Sequence, residues 1–310
     1  MSIVCIGECM LELSGQVGTA ARLAFGGDVL NTAVYLARLG LAPAFLTAVG
    51  EDPYSEELLA CWRAEGISTQ LVVRCPGKLP GLYAIRTDIR GERRFYYWRS
   101  DSAARALFSS ANVDAALDAA GRASLLYLSG ITLSLYPKLE RTRLIEIAHR
   151  VRERGGEVAF DPNFRPACWP SPEAAREAIM ELAPCVSVAL PTLTDETALW
   201  GDRTAEAAAA HWLALGAREV VVKLGAEGAW LSGAGVSEHV PAIRIVVRDS
   251  TGAGDAFNAG YLAARSRSAA PRTAASFAHE LAAIVVQHPG AIAPADATRA
   301  LCETSGRQRS

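Results

Sequence analysis

Short apolar segments of strand length alternate with amphipathic segments of helical length along most of this 310-residue chain. LLYLSG at 125–130, EVAFD at 157–161 and EVVVKLG at 219–225 are strand-like, and between them apolar residues recur every three to four positions. This alternation is typical of a mostly parallel sheet with helices on both faces, so the sequence predicts a three-layer α/β fold. In such folds, ligands bind at the carboxyl ends of the strands.

The same pattern gives approximate bounds for the other elements. We expect further strands at residues 3–7, 44–49 and 186–191, and helices at residues 29–39, 55–65, 137–154, 172–183 and 204–215. Gly40 is placed to end the first of these helices. At this length, residues 1–310 are expected to form one large domain with a small inserted sheet.

One segment, GLYAIRTDIRGERRFYYWR at 81–99, departs from the alternation. It predicts two strands joined by a polar turn around residues 90–92. Together with the early segment 11–14, this hairpin could form a small separate sheet. We therefore expect a lid made of residues 11–16 and 79–100.

The second strand of this hairpin has two aromatic-rich faces. Phe95, Tyr97 and Arg99 share one face, and Tyr96 and Trp98 share the other. This arrangement suggests that one face meets a ligand and the other a partner subunit, which predicts a homo-oligomer assembled through the lid. The alternative is a hairpin that packs only on its own domain.

Composition and charge exclude several classes of protein. The net charge of −2 gives no overall field that would favour nucleic acid or an anionic membrane. The 7 cysteines are scattered without a C-x-x-C pair, which argues against a zinc site or a disulfide framework. No signal peptide or membrane-length apolar run is evident, so we expect a cytoplasmic protein.

The first candidate site is STGAGDAFNAG at 250–260. Gly252 and Gly254 allow the backbone to approach a bound group, and amides at the start of the following helix can point at an anion. Asp255 lies in the first helical turn, where a carboxylate is also favoured as a simple capping acid. A carboxylate beside an anion site is what phosphoryl transfer needs, because it can accept the proton of an attacking hydroxyl. The stretch alone leaves both interpretations open.

The second candidate site is FGGDVLN at 25–31, which opens the first helix. Gly26 and Gly27 permit close backbone approach, and Asp28 is a plausible N-cap acid. Asn31 projects from the first turn of an otherwise apolar and alanine-rich helix. We interpret the stretch as an edge that binds the hydroxyls of a polyol, with a capped helix start as the alternative.

Together, FGGDVLNTAVYLARLG and DSTGAGDAFNAGYL resemble the ribokinase-like, or PfkB, sugar kinases. The resemblance extends over essentially the whole chain and includes IVCIGECMLEL, VGEDPYSEELLACWRAEGIST and VVVKLGAEGAWL. It implies a ribokinase-like fold, ATP as phosphoryl donor and no P-loop, since G-x-x-x-x-G-K-[ST] is missing from the sequence.

Two central segments narrow the resemblance to the 2-keto-3-deoxygluconate kinases, FYYWRSDSAAR at 95–105 and FDPNFRPACW at 160–169. Such a substrate carries a carboxylate, which an arginine fork binds with two parallel hydrogen bonds. Arg99 and Arg165 are the candidates, although Arg165 could instead form a salt bridge with Asp161. Tyr83 and Tyr97 would line the lid and donate hydroxyl hydrogen bonds.

The resemblance also implies roles for the two glycine-containing turns. Asp255 would be the general base on the 6-hydroxyl of the sugar, with Gly252, Ala253 and Gly254 forming an anion hole. Three residues fall in the stretch that contacts nucleotide, Lys223, Gly225 and Gly228. The two glycines are equally well explained as a turn between strands. Asp249, Thr251 and residues 287–292 are candidates for holding adenine or a monovalent cation such as K⁺.

One motif departs from the family pattern. Many members carry P-N-x-x-E after the strand that here reads VSVALP, and its polar groups organise Mg²⁺ through water. This chain reads PTLTDE, so Thr192 and Asp195 stand at those positions. Mg²⁺ is still expected, because the charge of the transferred phosphoryl group must be neutralised. Asp195 and Asp249 are the candidate metal residues.

Three alternatives to this kinase differ from it in the residues that they require. A kinase of the same fold acting on a neutral sugar such as fructose would not need Arg99 or Arg165. A non-catalytic sugar-binding protein on a kinase scaffold would not need Asp255. A dinucleotide-dependent oxidoreductase is disfavoured, because no G-x-G-x-x-G follows the first strand.

Overall fold

The computed structural model describes residues 1–15, 18, 20–87, 93–233 and 235–307. The strands in these residues are β1 (Ile3–Ile6), β2 (Met10–Ser14), β3 (Arg22–Gly26), β4 (Ala44–Val49), β5 (Val72–Arg74), β6 (Gly81–Thr87), β7 (Arg93–Trp98), β8 (Leu125–Ser129), β9 (Glu157–Asp161), β10 (Val188–Ala189), β11 (Glu219–Lys223), β12 (Ala229–Gly233) and β13 (Val236–Val240). They form two sheets.

The α-helices in the same residues are α1 (Asp28–Arg38), α2 (Pro53–Ala64), α3 (Val113–Ala120), α4 (Gly130–Ser134), α5 (Lys138–Glu153), α6 (Pro172–Leu182), α7 (Leu193–Trp200), α8 (Ala205–Ala214), α9 (Ala253–Arg265), α10 (Pro271–Val285) and α11 (Ala295–Arg307). None of the described helices is long and apolar enough to cross a membrane.

The large sheet has nine strands in the order β13-β12-β11-β10-β9-β8-β1-β4-β5. All neighbours from β5 to β11 run parallel, and β12 and β13 extend the sheet as an antiparallel edge. The predicted mostly parallel α/β sheet is therefore confirmed. Because the parallel strands share one direction, their carboxyl ends lie along one rim, where ligands of such sheets bind.

Helices cover both faces of this sheet, which confirms the three-layer architecture. On one face α3, α5, α6, α7 and α8 pack around a core that contains Trp212, and on the other α1, α2, α9 and α10 pack around a core that contains Trp62. Alternate residues of β1 enter opposite cores, with Val4 on the first side and Cys5 on the second. Buried side chains on both faces explain why the strands are almost continuously apolar.

The smaller sheet has four strands in the order β3-β2-β6-β7. It confirms the prediction of a small separate sheet and adds β3, a strand that the sequence analysis missed. β2 pairs antiparallel with β3 and parallel with β6. Residue 16 and the turn predicted at 90–92 lie outside the described residues.

The strand predicted at residues 186–191 is much shorter in the structure. Only β10 is regular, although the Leu190 N–H still donates to the Phe160 carbonyl at 2.8 Å. Pro191 then lacks an N–H to continue the pairing. The segment leaves the sheet there and enters α7, which brings the residues after Pro191 to the rim.

Candidate active site

The two glycine-containing motifs meet at the rim, where α1 and α9 both begin. Asn31 donates through Nδ2 to Oδ2 of Asp255 at 2.8 Å, and Thr32 donates through its hydroxyl to the Asp255 carbonyl at 3.2 Å. These bonds join residues more than 220 positions apart in the chain. The edge predicted to bind a sugar and the predicted base are thus parts of one site.

A cavity of about 710 Å³ opens between this rim and the lid. Most residues predicted for the site line it: Gly27, Asp28, Asn31, Tyr83, Tyr97, Arg99, Arg165, Asp195, Lys223, Gly252, Gly254 and Asp255. Four others, Ala253, Gly225, Gly228 and Asp249, are not among its lining residues. The volume is in the range of small-molecule sites, which extend from about 300 to 1,000 Å³.

The start of α9 has the geometry of an anion site. Gly252 caps the helix with φ 76°, and a Cβ there would lie 2.6 Å from the Ala291 carbonyl oxygen, so glycine is required. Gly254 and Asp255 lie in the first turn, where backbone N–H groups have no acceptor within the helix. The Ala253 N–H donates to the Ser250 carbonyl at 3.2 Å, so Ala253 shapes the turn, and the amides of Gly254 and Asp255 are those that could bind an anion.

Lys223 brings a positive charge to this turn from the carboxyl end of β11. Its ammonium is buried, donates to Asp161 at 2.5 Å and lies 3.1 Å from the Asn258 side-chain oxygen. It also lies 3.6 Å from the point that a Cβ of Gly254 would occupy. An anion held by the first turn of α9 would therefore approach the Lys223 ammonium.

The pKa of the Asp255 carboxyl group is raised well above its usual value. Burial, together with the nearby charge of Asp28, raises the pKa of Asp255 to about 8, against the opposing effect of its hydrogen bond with Asn31. A carboxyl group with a pKa near the working pH is suited to general base catalysis, since it can both accept and release a proton.

The start of α1 differs from the prediction in one detail. Gly27, and not Asp28, is the N-cap residue, and Asp28 occupies the first helical position. A Cβ on Gly27 would lie 2.1 Å from the Glu8 carbonyl oxygen, which explains the glycine by close backbone approach. Asp28 accepts a hydrogen bond from the Asn163 amide at 2.9 Å, so its carboxylate is held at the cavity wall and caps nothing.

The lid register places the predicted tyrosines over the cavity. Tyr83 of β6 pairs with Tyr97 of β7, and their rings lie 6.0 Å apart. Tyr83 is buried and donates its hydroxyl to Glu12, whereas Tyr97 is half exposed. Phe95 and Tyr97 line the cavity on the face predicted for the ligand, and Tyr96 and Trp98 lie on the opposite face.

Both predicted carboxylate-binding arginines already have acidic partners. The Arg99 guanidinium forms a buried ion pair with Glu8. Arg165 donates to both oxygens of Asp195 at 3.1 Å, so the salt bridge considered with Asp161 is replaced by one with Asp195. The side chain of Arg165 remains 51% exposed, which leaves donor groups for a ligand.

A third arginine, missed in the sequence, lines the same cavity. Arg105 donates to the Leu135 carbonyl at 3.0 Å, and its buried Nε has no hydrogen-bond partner among the described residues. Within that part of the chain, no carboxylate forms an ion pair with Arg105. The charge of this guanidinium is therefore available to an acidic ligand.

Sequence reasoning also missed Glu8, Asp161 and Asn163, which all line the cavity. Each of them ends or closely follows a strand of the parallel sheet, β1 or β9. A polar side chain at the end of an apolar strand is the signal that could have found them, because strand ends of a parallel sheet meet at one rim.

Three predicted residues have structural explanations. Gly225 and Gly228, with φ 61° and 117°, form the turn between β11 and β12, and a Cβ on Gly228 would lie 2.1 Å from the Val240 carbonyl oxygen. Asp249 accepts hydrogen bonds from the N–H and hydroxyl of Thr251 and the N–H of Gly290. Asp249 therefore connects the loops that pack around the start of α9.

Oxygen ligands for a hydrated divalent cation are present at the rim. Asp195 and Thr192, which replace the family glutamate and asparagine, both line the cavity, and an isolated bridge pairs Thr192 with Lys223. The Asp195 carboxylate is partly exposed, and only one guanidinium nitrogen of Arg165, Nη1, contacts it. The residues present therefore fit the oxygen chemistry that Mg²⁺ prefers.

Known proteins resemble this chain over nearly its whole length. It is 42% identical to the 2-dehydro-3-deoxygluconokinase of Dickeya dadantii (strain 3937), covering 96% of this chain and 98% of that protein. It is 38% identical to the 2-dehydro-3-deoxygluconokinase of Haemophilus influenzae, covering 94% and 95% of the two chains. The crystal structure of a PfkB protein from Polaromonas sp. JS666 matches with a TM-score of 0.83 at 30% identity, covering 94% and 97%. Residues 1–298 match the domain described as pfkB family carbohydrate kinase, and the chain therefore belongs to that family.

Proposed function

We propose that this kinase transfers the γ-phosphoryl group of ATP to the 6-hydroxyl of 2-dehydro-3-deoxygluconate, the keto acid called 2-keto-3-deoxygluconate above. The observation that carries the proposal is a single cavity with Asp255 and an anion-binding turn on one wall and three arginines on the others. The names of the relatives at 38–42% identity support the same substrate. The product is the 6-phosphate of the keto acid.

Asp255 is the proposed general base. Its Oδ2 is held by Asn31, so the other oxygen is available to accept the proton of a hydroxyl in the cavity. Asn31 and Asp28 are placed to take hydrogen bonds from sugar hydroxyls and so to present the terminal hydroxyl to Asp255. General base catalysis of this kind contributes roughly 10² to 10⁴ in rate.

The first turn of α9 and Lys223 are the proposed binding site for the transferred phosphoryl group. The amides of Gly254 and Asp255 would donate to its oxygens, and the Lys223 ammonium would balance their charge. Thr192 and Asp195 would hold a hydrated Mg²⁺, which when bound supplies charge neutralisation to the phosphate oxygens. Closure of the lid tyrosines would exclude water from the reacting groups.

The carboxylate of the substrate is proposed to bind at the arginine wall. Arg165 is exposed enough to donate a bidentate pair while it keeps Asp195, and Arg105 has no acidic partner among the described residues. The ion pair of Arg99 with Glu8 is buried, whereas Arg165 is half exposed, so we assign Arg99 mainly to positioning that wall. Arg105 should therefore bind the carboxylate more strongly than Arg165, whose charge Asp195 already balances.

An ADP-release assay over a set of substrates tests the proposal. The set holds 2-dehydro-3-deoxygluconate, its galactonate epimer, fructose and ribose. We expect the two keto acids to give the highest kcat/KM, and Arg165→Ala or Arg105→Met to raise the KM for them at least tenfold. Arg143→Met, outside the cavity, is the matched control. Equal use of fructose and the acids, with KM unchanged in both cavity variants, would reject the acidic substrate and favour a neutral-sugar kinase.

The base is tested separately with Asp255→Asn. Turnover should fall about 10³-fold or more, while isothermal titration shows that the keto acid still binds. This outcome also separates the enzyme from a non-catalytic sugar-binding protein. Activity within a few-fold of the parent protein would remove Asp255 from the mechanism without affecting the argument about the substrate.

The outer face of the lid is the proposed interface with a second copy of the chain. The strand register aligns Leu23, Leu13, Ala84 and Tyr96 in one row across the sheet, and Trp98 lies in the next row. Trp98 is 61% exposed, and large exposed apolar patches mark interaction surfaces. Light scattering should show a dimer or larger assembly that Trp98→Glu dissociates, with Leu139→Glu as the control. A monomeric parent protein would reject this interface.

A further inference from the structure

Three potential metal ligands converge at the junction of α7 and α8, outside the active-site cavity. One ligand atom each of Glu196, Asp202 and His211 lies within 4.8 Å of the other two. The Nδ1 atom of His211 is 3.2 Å from Oδ2 of Asp202. Ligand atoms around one tetrahedral Zn²⁺ lie roughly 3 to 3.5 Å apart, so small side-chain rotations would close this set around an ion.

The burial of Glu196 points to a missing partner. Its side chain is 0% exposed, and Oε2 accepts a hydrogen bond from the Trp212 indole at 2.8 Å. The other oxygen, Oε1, is buried with no hydrogen-bond partner among the described residues. No arginine or lysine in that part of the chain forms an ion pair with Glu196 or Asp202. A buried carboxylate without a cation is costly, and a metal ion removes that cost.

The surrounding residues hold the three ligands in place. Gly201, with φ 83°, ends α7 and turns the chain so that Asp202 faces back toward α8. Thr197 donates its hydroxyl to the Asp202 carbonyl, which fixes this turn. The Trp200 ring meets the His211 ring edge-on, with centroids 4.6 Å apart. Such outer contacts orient ligands in known metal sites.

We propose that Glu196, Asp202 and His211 bind a divalent transition-metal ion of the zinc class. Two carboxylates and one imidazole suit Zn²⁺, Co²⁺ and Ni²⁺ better than Ca²⁺, which takes oxygen ligands. A solvent molecule would complete the coordination, since Asp202 and His211 are only partly buried. The ion would link α7 to α8 through Glu196, which directly follows Asp195, and His211. It would thereby stabilise the segment that enters the active site.

Zn²⁺ binding to the full-length protein tests the site. After treatment with a chelator, isothermal titration should show one Zn²⁺ per chain, and Zn²⁺ should raise the Tm. His211→Gln and Asp202→Asn should each weaken binding at least about tenfold. Both positions are partly exposed, so these variants should fold. His239→Gln is the matched control, because it removes a histidine whose ring bonds only a backbone carbonyl in the described structure.

Cysteine thiolates are the main alternative ligands for the added Zn²⁺. The absorption spectrum of bound Co²⁺ distinguishes a site with thiolate ligands from the proposed site. The Co²⁺-loaded protein should lack the sulfur-to-metal charge-transfer band that a thiolate ligand produces. The site would be rejected by a thiolate band, by the failure of the parent protein to bind Zn²⁺, or by unchanged affinity in His211→Gln and Asp202→Asn. Those results would leave Glu196 as a protonated acid bonded to Trp212. The outcome does not depend on the identity of the sugar substrate.

Discussion

The protonation of Asp255 makes the rate of the proposed reaction depend on pH in a defined direction. Burial and the charge of Asp28 raise the pKa of Asp255 to about 8, so only about a tenth of the free protein carries the ionised base at pH 7. The value of kcat/KM should therefore rise almost tenfold from pH 6 to pH 7 and level off above pH 8.

Asp28→Asn is the perturbation that tests this cause. It removes one negative charge, while the new side-chain oxygen can still accept the hydrogen bond from Asn163. A unit charge near a partly buried group changes its ionisation by about 1 to 2 kcal/mol, so the rising limb should move down by about one pH unit. The assay is ADP release with both substrates well below their KM, from pH 5.5 to pH 9. Only the midpoint is compared, because Asp28 also lines the cavity proposed to bind the sugar, and its loss should lower the rate.

Asp114→Asn provides the control. It removes a carboxylate that is exposed and paired with Arg143, outside the cavity, so the midpoint should stay at its original pH. A flat profile between pH 6 and pH 8 in the parent protein would refute the raised pKa as the origin of the pH dependence. An identical midpoint in the parent and Asp28→Asn proteins would refute the contribution of Asp28.

Three further predictions follow from contacts in the site. Asp255→Asn should raise the Tm by about 2 to 5 °C at pH 8 but not at pH 4. The raised pKa of the buried Asp255 carboxyl group gives stability that is present below about pH 4 and lost as pH rises through 8. Equal Tm differences at both pH values would contradict this prediction. Lys223→Met should destabilise the protein by about 3 kcal/mol in urea unfolding, since it leaves buried Asp161 unpaired, and Lys223→Met with Asp161→Asn should recover much of that loss. Gly27→Ala should weaken titrated sugar binding at least tenfold, because its Cβ would lie 2.1 Å from the Glu8 carbonyl oxygen, whereas Gly155→Ala meets no atom within 4 Å and should cost only left-handed backbone strain.

Most of the fold could be predicted from the sequence, because the parallel strands are apolar on both faces and their helices have clear periodicity. The lid was harder, and its strand β3 was missed. Arg22 and Leu23 are exposed, so RLAFG shows no buried alternation that would mark a strand. Its regularity comes from pairing with β2, a partner that the local sequence does not specify.

The site was predictable in its residue types but not in its charge pairs. Asp255 and Asn31 stand out because each is a polar residue that follows two glycines and lies in the first turn of a largely apolar helix. The acidic partners of the arginines could not be found in this way. Glu8 lies 91 positions from Arg99, and Asp195 lies 30 positions from Arg165, so only the fold brings each pair together. Arg105 was missed for the same reason, since its importance lies in having no acidic partner among the described residues.

The contact between α1 and α9 fixes the position of the proposed base relative to the proposed sugar site. Asn31 donates to Asp255, and its side-chain oxygen accepts a hydrogen bond from the Gly27 N–H at 3.4 Å. One residue therefore links the proposed base to the turn predicted to hold the sugar. The Thr32 hydroxyl adds a second link, to the backbone of Asp255. In the proposed reaction, the distance from Asp255 to the sugar hydroxyl would therefore be set by the packing of two helix starts, and not by a mobile loop. The two helices share one buried core, which includes small side chains such as Ala33 and Ala259. Enlarging one of them should change kcat more than substrate affinity, because a small displacement of the base affects the transition state most.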